Sequence, residues 1–169
     1  LVTLMISKKF IHNAKEVINL EIKALQSLKK NLNENFNKAV IEIVKCHSKV
    51  ILCGVGKSGL IASKIAATLA SVGTPSFTIS ANEASHGDLG MISKKDILIL
   101  ISNSGETTEL RNIIQYAKRN KVLLIAIVSR RESVLYKASD IKLVIPKVVK
   151  QEALYLQLAQ LLNLLWVML

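Results

Sequence analysis

Residues 97–109 (ILILISNSGETTE) combine an apolar run with a cluster of small polar side chains. The five residues 97–101 are all isoleucine or leucine, which predicts a strand buried on both faces, as in a parallel sheet covered by helices. A helical pattern begins shortly afterwards. Between the two lie polar residues and one glycine: Ser102, Asn103, Ser104, Gly105, Thr107 and Thr108. A helix N-terminus carries free N–H groups and partial positive charge, so a loop of this kind is suited to binding a phosphate group.

A simpler alternative is that this loop only caps the following helix. Asn103 or Ser104 would then be the N-cap, and Glu106, three residues after Asn103, would close a capping box. One such residue is enough for a cap, whereas the chain supplies five polar side chains within seven positions. We therefore predict a ligand site, and a helix cap would be compatible with it.

A second loop, residues 54–59 (GVGKSG), follows the apolar run 50–55 and precedes another helical pattern. Its three glycines match the spacing of the dinucleotide-binding fingerprint, and Glu83 lies near the distance expected for a ribose-binding acid. Gly56-Lys57-Ser58 also matches the last part of the P-loop motif, but Ile51 stands where the first glycine of that motif is required. Nucleotide binding remains an alternative, although the polar loop after residue 101 has no role in either motif.

The elements that position these loops follow from the hydrophobic pattern. Apolar runs predict strands over 50–55, 97–101, 122–129 and 141–145, and a further short strand is predicted over 76–80, after a turn at 73–75. Helical patterns lie between most of these strands. Strands that alternate with helices indicate βαβ units, so we predict an α/β fold: a three-layer αβα sandwich with about five parallel strands, flavodoxin-like. In such sheets, ligands bind at the carboxyl ends of the strands.

The 169 residues predict a single domain with three parts. Residues 1–49 form a helical leader of one or two helices, with a break near 31–35, where three asparagines fall together. Residues 50–153 form the binding core, and residues 154–169 form an apolar C-terminal helix. The leader and the tail offer more apolar surface than five strands are expected to cover, so we predict a homodimer or homotetramer.

The formal charge of +11 raises the question of nucleic-acid binding, but 19 of the 23 basic residues are lysines and only 4% of the residues are aromatic. Base recognition favours arginine forks and stacking aromatics, so we expect no nucleic-acid partner. Cys46 and Cys53 have no C-x-x-C spacing, which predicts reduced thiols in the cytoplasm. We expect no signal peptide, no membrane span, no metal ion and no cofactor.

Three segments together resemble the sugar isomerase (SIS) domain, and specifically the D-arabinose 5-phosphate isomerase family: GVGKSG, NEASHGDLG (residues 82–90) and ISNSGETTE. The resemblance covers about residues 50–153. It implies interconversion of ribulose 5-phosphate and arabinose 5-phosphate in the Kdo pathway for bacterial lipopolysaccharide.

By matching position, the resemblance implies two sets of site residues. The phosphosugar-binding residues would be Ser58, Ser102, Asn103, Ser104 and Thr107. The active-site side chains would be Lys57, His86, Glu109 and Glu152. These types suit the chemistry, because moving a carbonyl between C1 and C2 needs a base and a group that protonates or polarises the oxygen. A bound dianion should raise the pKa of a nearby carboxyl group.

The chain departs from the family after Glu152. Family members usually continue with a loop of the kind APTxS, a long helix and an S-H-P-G-G stretch with another active-site histidine, and often a pair of CBS modules. Here Glu152-Ala153 is followed by LYLQLAQLLNLLWVML, which is uncharged. We therefore expect phosphosugar affinity to be kept and turnover to be lower by at least ~10²-fold, the usual contribution of one proton-transfer group. A non-catalytic phosphosugar-binding or regulatory module is the alternative.

Overall fold

The computed structural model describes residues 2–147 and Gln160. The leader forms two helices, α1 (Val2–Asn31) and α2 (Glu34–Val44), separated at the asparagine-rich segment as predicted. The side chain of Asn33 accepts the backbone N–H of Asn35 and caps α2. The helix predicted over residues 154–169 lies outside the described residues, apart from Gln160.

Five strands follow: β1 (Val50–Gly54), β2 (Ser76–Thr78), β3 (Ile97–Ile101), β4 (Leu123–Val128) and β5 (Ile141–Val144). The helices between them are α3 (Lys57–Ser71), α4 (Arg111–Asn120) and α5 (Val134–Ala138), while β2 and β3 are joined by a loop with two short 3₁₀ turns. The predicted parallel α/β sandwich is confirmed. The start of α3 differs from the prediction. The helix begins at Lys57 rather than near Leu60, which places Lys57 and Ser58 in its first turn.

All strands pair in parallel, in the order β2-β1-β3-β4-β5. Strand β2 lies on one side of β1 and strand β3 on the other, so successive connections leave the β1–β3 pair in opposite directions. This is the topological switch point, where open α/β sheets bind their ligands at the carboxyl edge.

Alternate residues of each strand enter two separate hydrophobic clusters, as the two-residue period of a strand requires. In β3, Ile97, Ile99 and Ile101 pack with α2 and α3 on one face, whereas Leu98 and Leu100 pack with α4 on the other. Burial on both faces explains why β3 reads as an unbroken apolar run. Among the described residues, none of the helices is both long and apolar enough to cross a membrane.

Candidate functional site

The turn between β1 and α3 is built on glycines that allow the helix to start against the strand. A Cβ on Gly54 would lie 2.7 Å from the backbone carbon of Ser58, and a Cβ on Gly59 would lie 2.7 Å from the carbonyl oxygen of Gly54. Between them, Gly56 has φ +58°, a conformation that side chains rarely adopt. These three positions therefore require glycine for backbone geometry, which explains the GxGxxG spacing without a dinucleotide.

The N-terminus of α3 points its partial positive charge at the carboxyl edge of the sheet. The first turn contains no acidic residue that would neutralise this charge; instead it carries Lys57, which is exposed, and Ser58, which is half-buried. A cation at a helix N-terminus is unfavourable for the helix itself. An anion bound there would be favoured by the dipole and by Lys57 together.

The loop that follows β3 is organised by the hydroxyl of Ser102, which is only 4% exposed. This hydroxyl accepts the backbone N–H of Gly105 at 3.0 Å and lies 2.7 Å from the hydroxyl of Thr107. Two hydroxyl groups that share one hydrogen bond keep one proton for another acceptor. Because Thr107 is half-buried and Ser102 is buried, the arrangement in which Ser102 donates to Thr107 leaves the Thr107 proton available to a bound oxygen.

The capping-box interpretation of this loop is wrong. The carboxylate of Glu106 accepts the backbone N–H of Val134 at 3.0 Å, and the Ser104 hydroxyl accepts the backbone N–H of Glu106 at 3.2 Å. The loop continues through a 3₁₀ turn, Thr108–Leu110, and the N-cap of α4 is Leu110, without a side-chain cap. None of these side chains therefore caps α4, and the Asn103 residue is exposed.

The register of the sheet brings the two loops together. Gly54 of β1 pairs with Ile101 of β3, so both strands end at the same level, side by side. The α3 N-terminus and the loop of residues 102–107, which we call the hydroxyl loop, consequently leave the sheet next to each other at the switch point. The arrangement places four of the predicted phosphosugar-binding hydroxyls at one edge: Ser58, Ser102, Ser104 and Thr107.

Glu109 lies in the 3₁₀ turn that leads from this loop into α4, and it is exposed. Its own backbone N–H and the hydroxyl of Thr108, which donates to Oε2 at 2.9 Å, lower the pKa of the Glu109 carboxyl below its usual value. A bound phosphate dianion would act in the opposite direction, since like charges disfavour ionisation. The pKa of Glu109 would therefore be set by the balance between these two influences.

The two remaining predicted catalytic residues are His86 and Glu152. The backbone of His86 belongs to the 3₁₀ turn Glu83–His86, in the β2–β3 loop, which packs against α4. Glu152 lies outside the described residues. Within the described part of the chain, no group of three or more histidine, cysteine or acidic side chains could hold a metal ion.

Sequence reasoning missed the connection between β4 and α5, which lies against the hydroxyl loop. Ser129 donates from its backbone N–H and from its hydroxyl to the carbonyl oxygen of Asn103, at 3.1 and 2.7 Å. Ser133 caps α5 and packs against Gly105. The polar residues after β4 could have predicted this contact. Since β4 is parallel to β3, residues directly after β4 lie at the same edge of the sheet as the hydroxyl loop.

Comparisons with known proteins agree with this geometry. The profile of the SIS domain matches residues 42–167. Arabinose 5-phosphate isomerase KdsD of Yersinia pestis is 49% identical over 150 residues, which are 89% of this chain and 45% of that relative. The chain thus spans less than half the length of this curated relative.

Two solved structures superpose over most of the chain. The E. coli CFT073 protein c3406 in complex with arabinose 5-phosphate is 35% identical, with a TM-score of 0.85, and the match covers 95% of this chain and 90% of that one. A putative sugar-phosphate isomerase from Listeria monocytogenes is 28% identical, with a TM-score of 0.87, and the match covers 95% and 88% of the two chains.

Proposed function

Because the chain belongs to the SIS domain family, we propose that it binds a phosphosugar and catalyses an aldose–ketose isomerisation. The substrate pair is ribulose 5-phosphate and arabinose 5-phosphate, the reaction that supplies the Kdo pathway of lipopolysaccharide. The relative from Y. pestis, named as an arabinose 5-phosphate isomerase, supports this choice at 49% identity. So does c3406, which was solved in complex with arabinose 5-phosphate.

The observation that carries the proposal is the meeting of two anion-binding features at the switch point. The α3 N-terminus supplies N–H groups, partial positive charge and Lys57, while the loop after β3 supplies hydroxyl groups. We assign the phosphate group of the sugar to Ser58, Ser104 and Thr107, with Asn103 beside them. Ser102 contributes by holding Thr107 and Gly105 in place.

The chemistry is a proton transfer through an enediolate. A base removes a proton from C1 of the ketose and the carbonyl oxygen at C2 becomes negative. Return of that proton to C2, with transfer of the O1 proton to O2, gives the aldose. We propose Glu109 or Glu152 as the base, because a carboxylate beside a bound dianion gains basicity. Lys57 balances the negative charge of the phosphate or of the enediolate.

His86 is proposed to open the sugar ring or to carry protons between oxygens, as an imidazole can do near neutral pH. The reaction moves protons and leaves the total oxidation state of the sugar unchanged. It therefore needs no redox cofactor, and we propose none.

A non-catalytic phosphosugar-binding module is the second candidate. The observation that favours it is the sequence after Glu152, where LYLQ stands in place of the family's loop. A site of this kind would keep the phosphate contacts, which lie between Ser58 and Thr107, and would lose groups that act mainly in the transition state.

One preparation of the protein separates the two candidates. Calorimetric titration with arabinose 5-phosphate measures binding, and an assay of ribulose 5-phosphate formation measures turnover. Binding with turnover supports the isomerase, and binding without turnover supports the module. Failure of both arabinose 5-phosphate and inorganic phosphate to bind would reject the phosphosugar site.

We further propose that the protein acts in the cytoplasm as a homodimer or homotetramer. Cys46 and Cys53 are both free thiols, as expected in a reducing compartment. The leader helix α1 exposes several large apolar side chains, a feature common at interfaces; they are Phe10, Ile11, Val17, Ile18 and Ile22.

A further inference from the structure

Glu106 is the residue of the hydroxyl loop to which the proposed function gives no role. A carboxylate in a loop that binds a phosphate dianion is electrostatically unfavourable, since like charges repel. Its presence therefore needs a compensating reason. The structure offers one in the contacts that the carboxylate makes outside the loop.

The Oε1 atom of Glu106 accepts the backbone N–H of Val134, the first residue of α5, at 3.0 Å. This bond joins two segments that are distant in sequence but adjacent at the carboxyl edges of β3 and β4. Three further hydrogen bonds join the same segments. The Gly105 carbonyl accepts the N–H of Leu135 at 3.0 Å, and the Asn103 carbonyl accepts two bonds from Ser129.

Packing makes this junction specific. Gly105 has φ +66°, and a Cβ at this position would overlap the side chain of Ser133. Ser133 is 2% exposed and its hydroxyl donates to the carbonyl oxygen of Arg130 at 2.8 Å, so it is held in place. Residues 103–106 thus pack against Ser129 and residues 133–135, a contact that we call the loop clamp.

The loop clamp bears directly on the hydroxyls assigned to the phosphate. Ser104 Oγ accepts the N–H of Glu106. Ser102 Oγ, which holds the Thr107 hydroxyl, accepts the N–H of Gly105. Both N–H groups belong to residues of the clamp. The positions of the Ser104 and Thr107 hydroxyls therefore depend on where the clamp holds the backbone of Gly105 and Glu106.

We propose that Glu106 is a positioning residue: by accepting the Val134 N–H it fixes the hydroxyl loop on the β4–α5 connection, and so it sets the geometry of the phosphate site without touching the substrate. This inference rests on the proposed phosphosugar site. It assigns to Glu106 a function that needs a hydrogen-bond acceptor and does not need a negative charge.

The test compares Glu106→Gln with Glu106→Ala. Both variants lack the charge, but glutamine keeps an oxygen at the acceptor position, so their difference isolates the hydrogen bond. Glu132→Gln is the matched control, because Glu132 lies in the same connection, is 90% exposed and pairs only on the surface with Lys137 at 3.2 Å. Titration with inorganic phosphate and the KM and kcat for arabinose 5-phosphate are measured for each variant.

We expect Glu106→Gln to bind phosphate as tightly as the parent or more tightly, and Glu106→Ala to bind about five-fold more weakly than Glu106→Gln, the usual effect of one lost hydrogen bond. The loss should appear in KM rather than in kcat. The amide of Val134 should exchange with solvent faster in Glu106→Ala alone.

Equal phosphate affinity of Glu106→Ala and Glu106→Gln would overturn the inference, as would a loss in Glu106→Ala that appears in kcat with KM unchanged. The proposed isomerase fails on a different result, namely a parent protein that binds phosphate without turnover. Phosphate titration then still tests Glu106. A parent that does not bind phosphate would reject both.

Discussion

At the scale of single residues, Ser104 combines two tasks in one hydroxyl group. It is half-buried and accepts the N–H of Glu106, and we propose that it donates its own proton to a phosphate oxygen. We predict that Ser104→Ala weakens phosphosugar binding by ~1 to 3 kcal/mol, because a hydrogen bond to a charged group is lost. Calorimetry measures this directly, and inorganic phosphate should compete with the sugar.

Ser71→Ala is the control for this variant, since Ser71 is exposed at the other end of α3 and its hydroxyl donates to the carbonyl of Thr68. It should bind like the parent. If Ser104→Ala also binds like the parent, and phosphate does not displace the sugar, the hydroxyl loop has only a structural role.

Glu109 is predicted to act in the chemical step. Glu109→Gln should bind the substrate normally and lower kcat by ~10²- to 10⁴-fold, as expected for loss of a general base. A base works only when deprotonated, and the pKa of Glu109 is lowered by its own N–H and by Thr108. The acid limb of the pH profile of kcat/KM, which reports the free enzyme, should therefore lie below the usual glutamate pKa. The acid limb of the profile of kcat should lie at higher pH than that of kcat/KM, because bound phosphate raises the pKa of Glu109.

Rates of Glu109→Gln and Glu152→Gln that both match the parent would remove these residues from the mechanism. A fall of similar size in the kcat of Glu132→Gln, which changes an exposed residue of the β4–α5 connection, would indicate a nonspecific effect. The pH profiles of kcat and kcat/KM add an independent check, because a purely structural role would not separate their acid limbs.

At the scale of elements, Asp96 joins the starts of β1 and β3 at the edge opposite the site. The carboxylate is 1% exposed; it accepts the Ser48 hydroxyl and the N–H groups of Lys49 and Ser93, and it pairs with the Lys49 ammonium at 3.5 Å. Burial raises the pKa of this carboxyl, but the hydrogen bonds from Ser48 and Ser93 and the charge of Lys49 outweigh it and hold the pKa below the usual aspartate value.

We predict that Asp96→Asn lowers the free energy of unfolding by about 1 to 3 kcal/mol at neutral pH, because buried donors lose a charged acceptor. A carboxyl group whose pKa is lower in the folded state stabilises the fold above its unfolded pKa, and this contribution is lost as pH falls through the folded pKa. The gap between Asp96→Asn and the parent should therefore close in acid.

Urea unfolding at several pH values measures this gap, with Glu42→Gln on the exposed side of α2 as the control. A gap that stays constant with pH would show that the ionisation of Asp96 does not stabilise the fold.

At the scale of the whole molecule, α1 carries large apolar side chains that the rest of the described structure leaves exposed. Ala24 and Leu28 near its end are buried, whereas Phe10 and Ile18 are 66% and 54% exposed. We predict that a second copy of the chain covers this face, because burying such side chains is favourable by ~1.5 to 3 kcal/mol each. Light scattering in the micromolar range should return a dimer or tetramer mass.

The combined variant Phe10→Glu/Ile18→Glu should shift the mass towards the monomer, since it places charges in an apolar contact. Lys15→Glu, on the same helix, is the control for a change of charge alone. A monomer mass for the parent protein would refute the prediction.

Most of the secondary structure and the polar character of the two loops could be predicted from local sequence pattern alone. Apolar runs located β1, β3, β4 and β5, and the break in the leader followed from local hydrogen bonding at Asn33. The two loops could be recognised for two local reasons. The loop after β1 needs glycine because Gly56 has φ +58°, which other residues rarely adopt. The loop after β3 contains a series of hydroxyl groups, which suit an anionic ligand.

Which loops lie next to each other, and which contacts hold them there, depends on the packing of the folded chain. The strand order β2-β1-β3-β4-β5 depends on pairing between distant segments, which local periodicity does not encode. Glu106 illustrates the limit: locally it fits a capping box with Asn103, but its carboxylate instead accepts the N–H of Val134, 28 residues away. That partner is available only because β3 and β4 lie side by side in parallel, so the role of Glu106 is set by packing rather than by its neighbours in sequence.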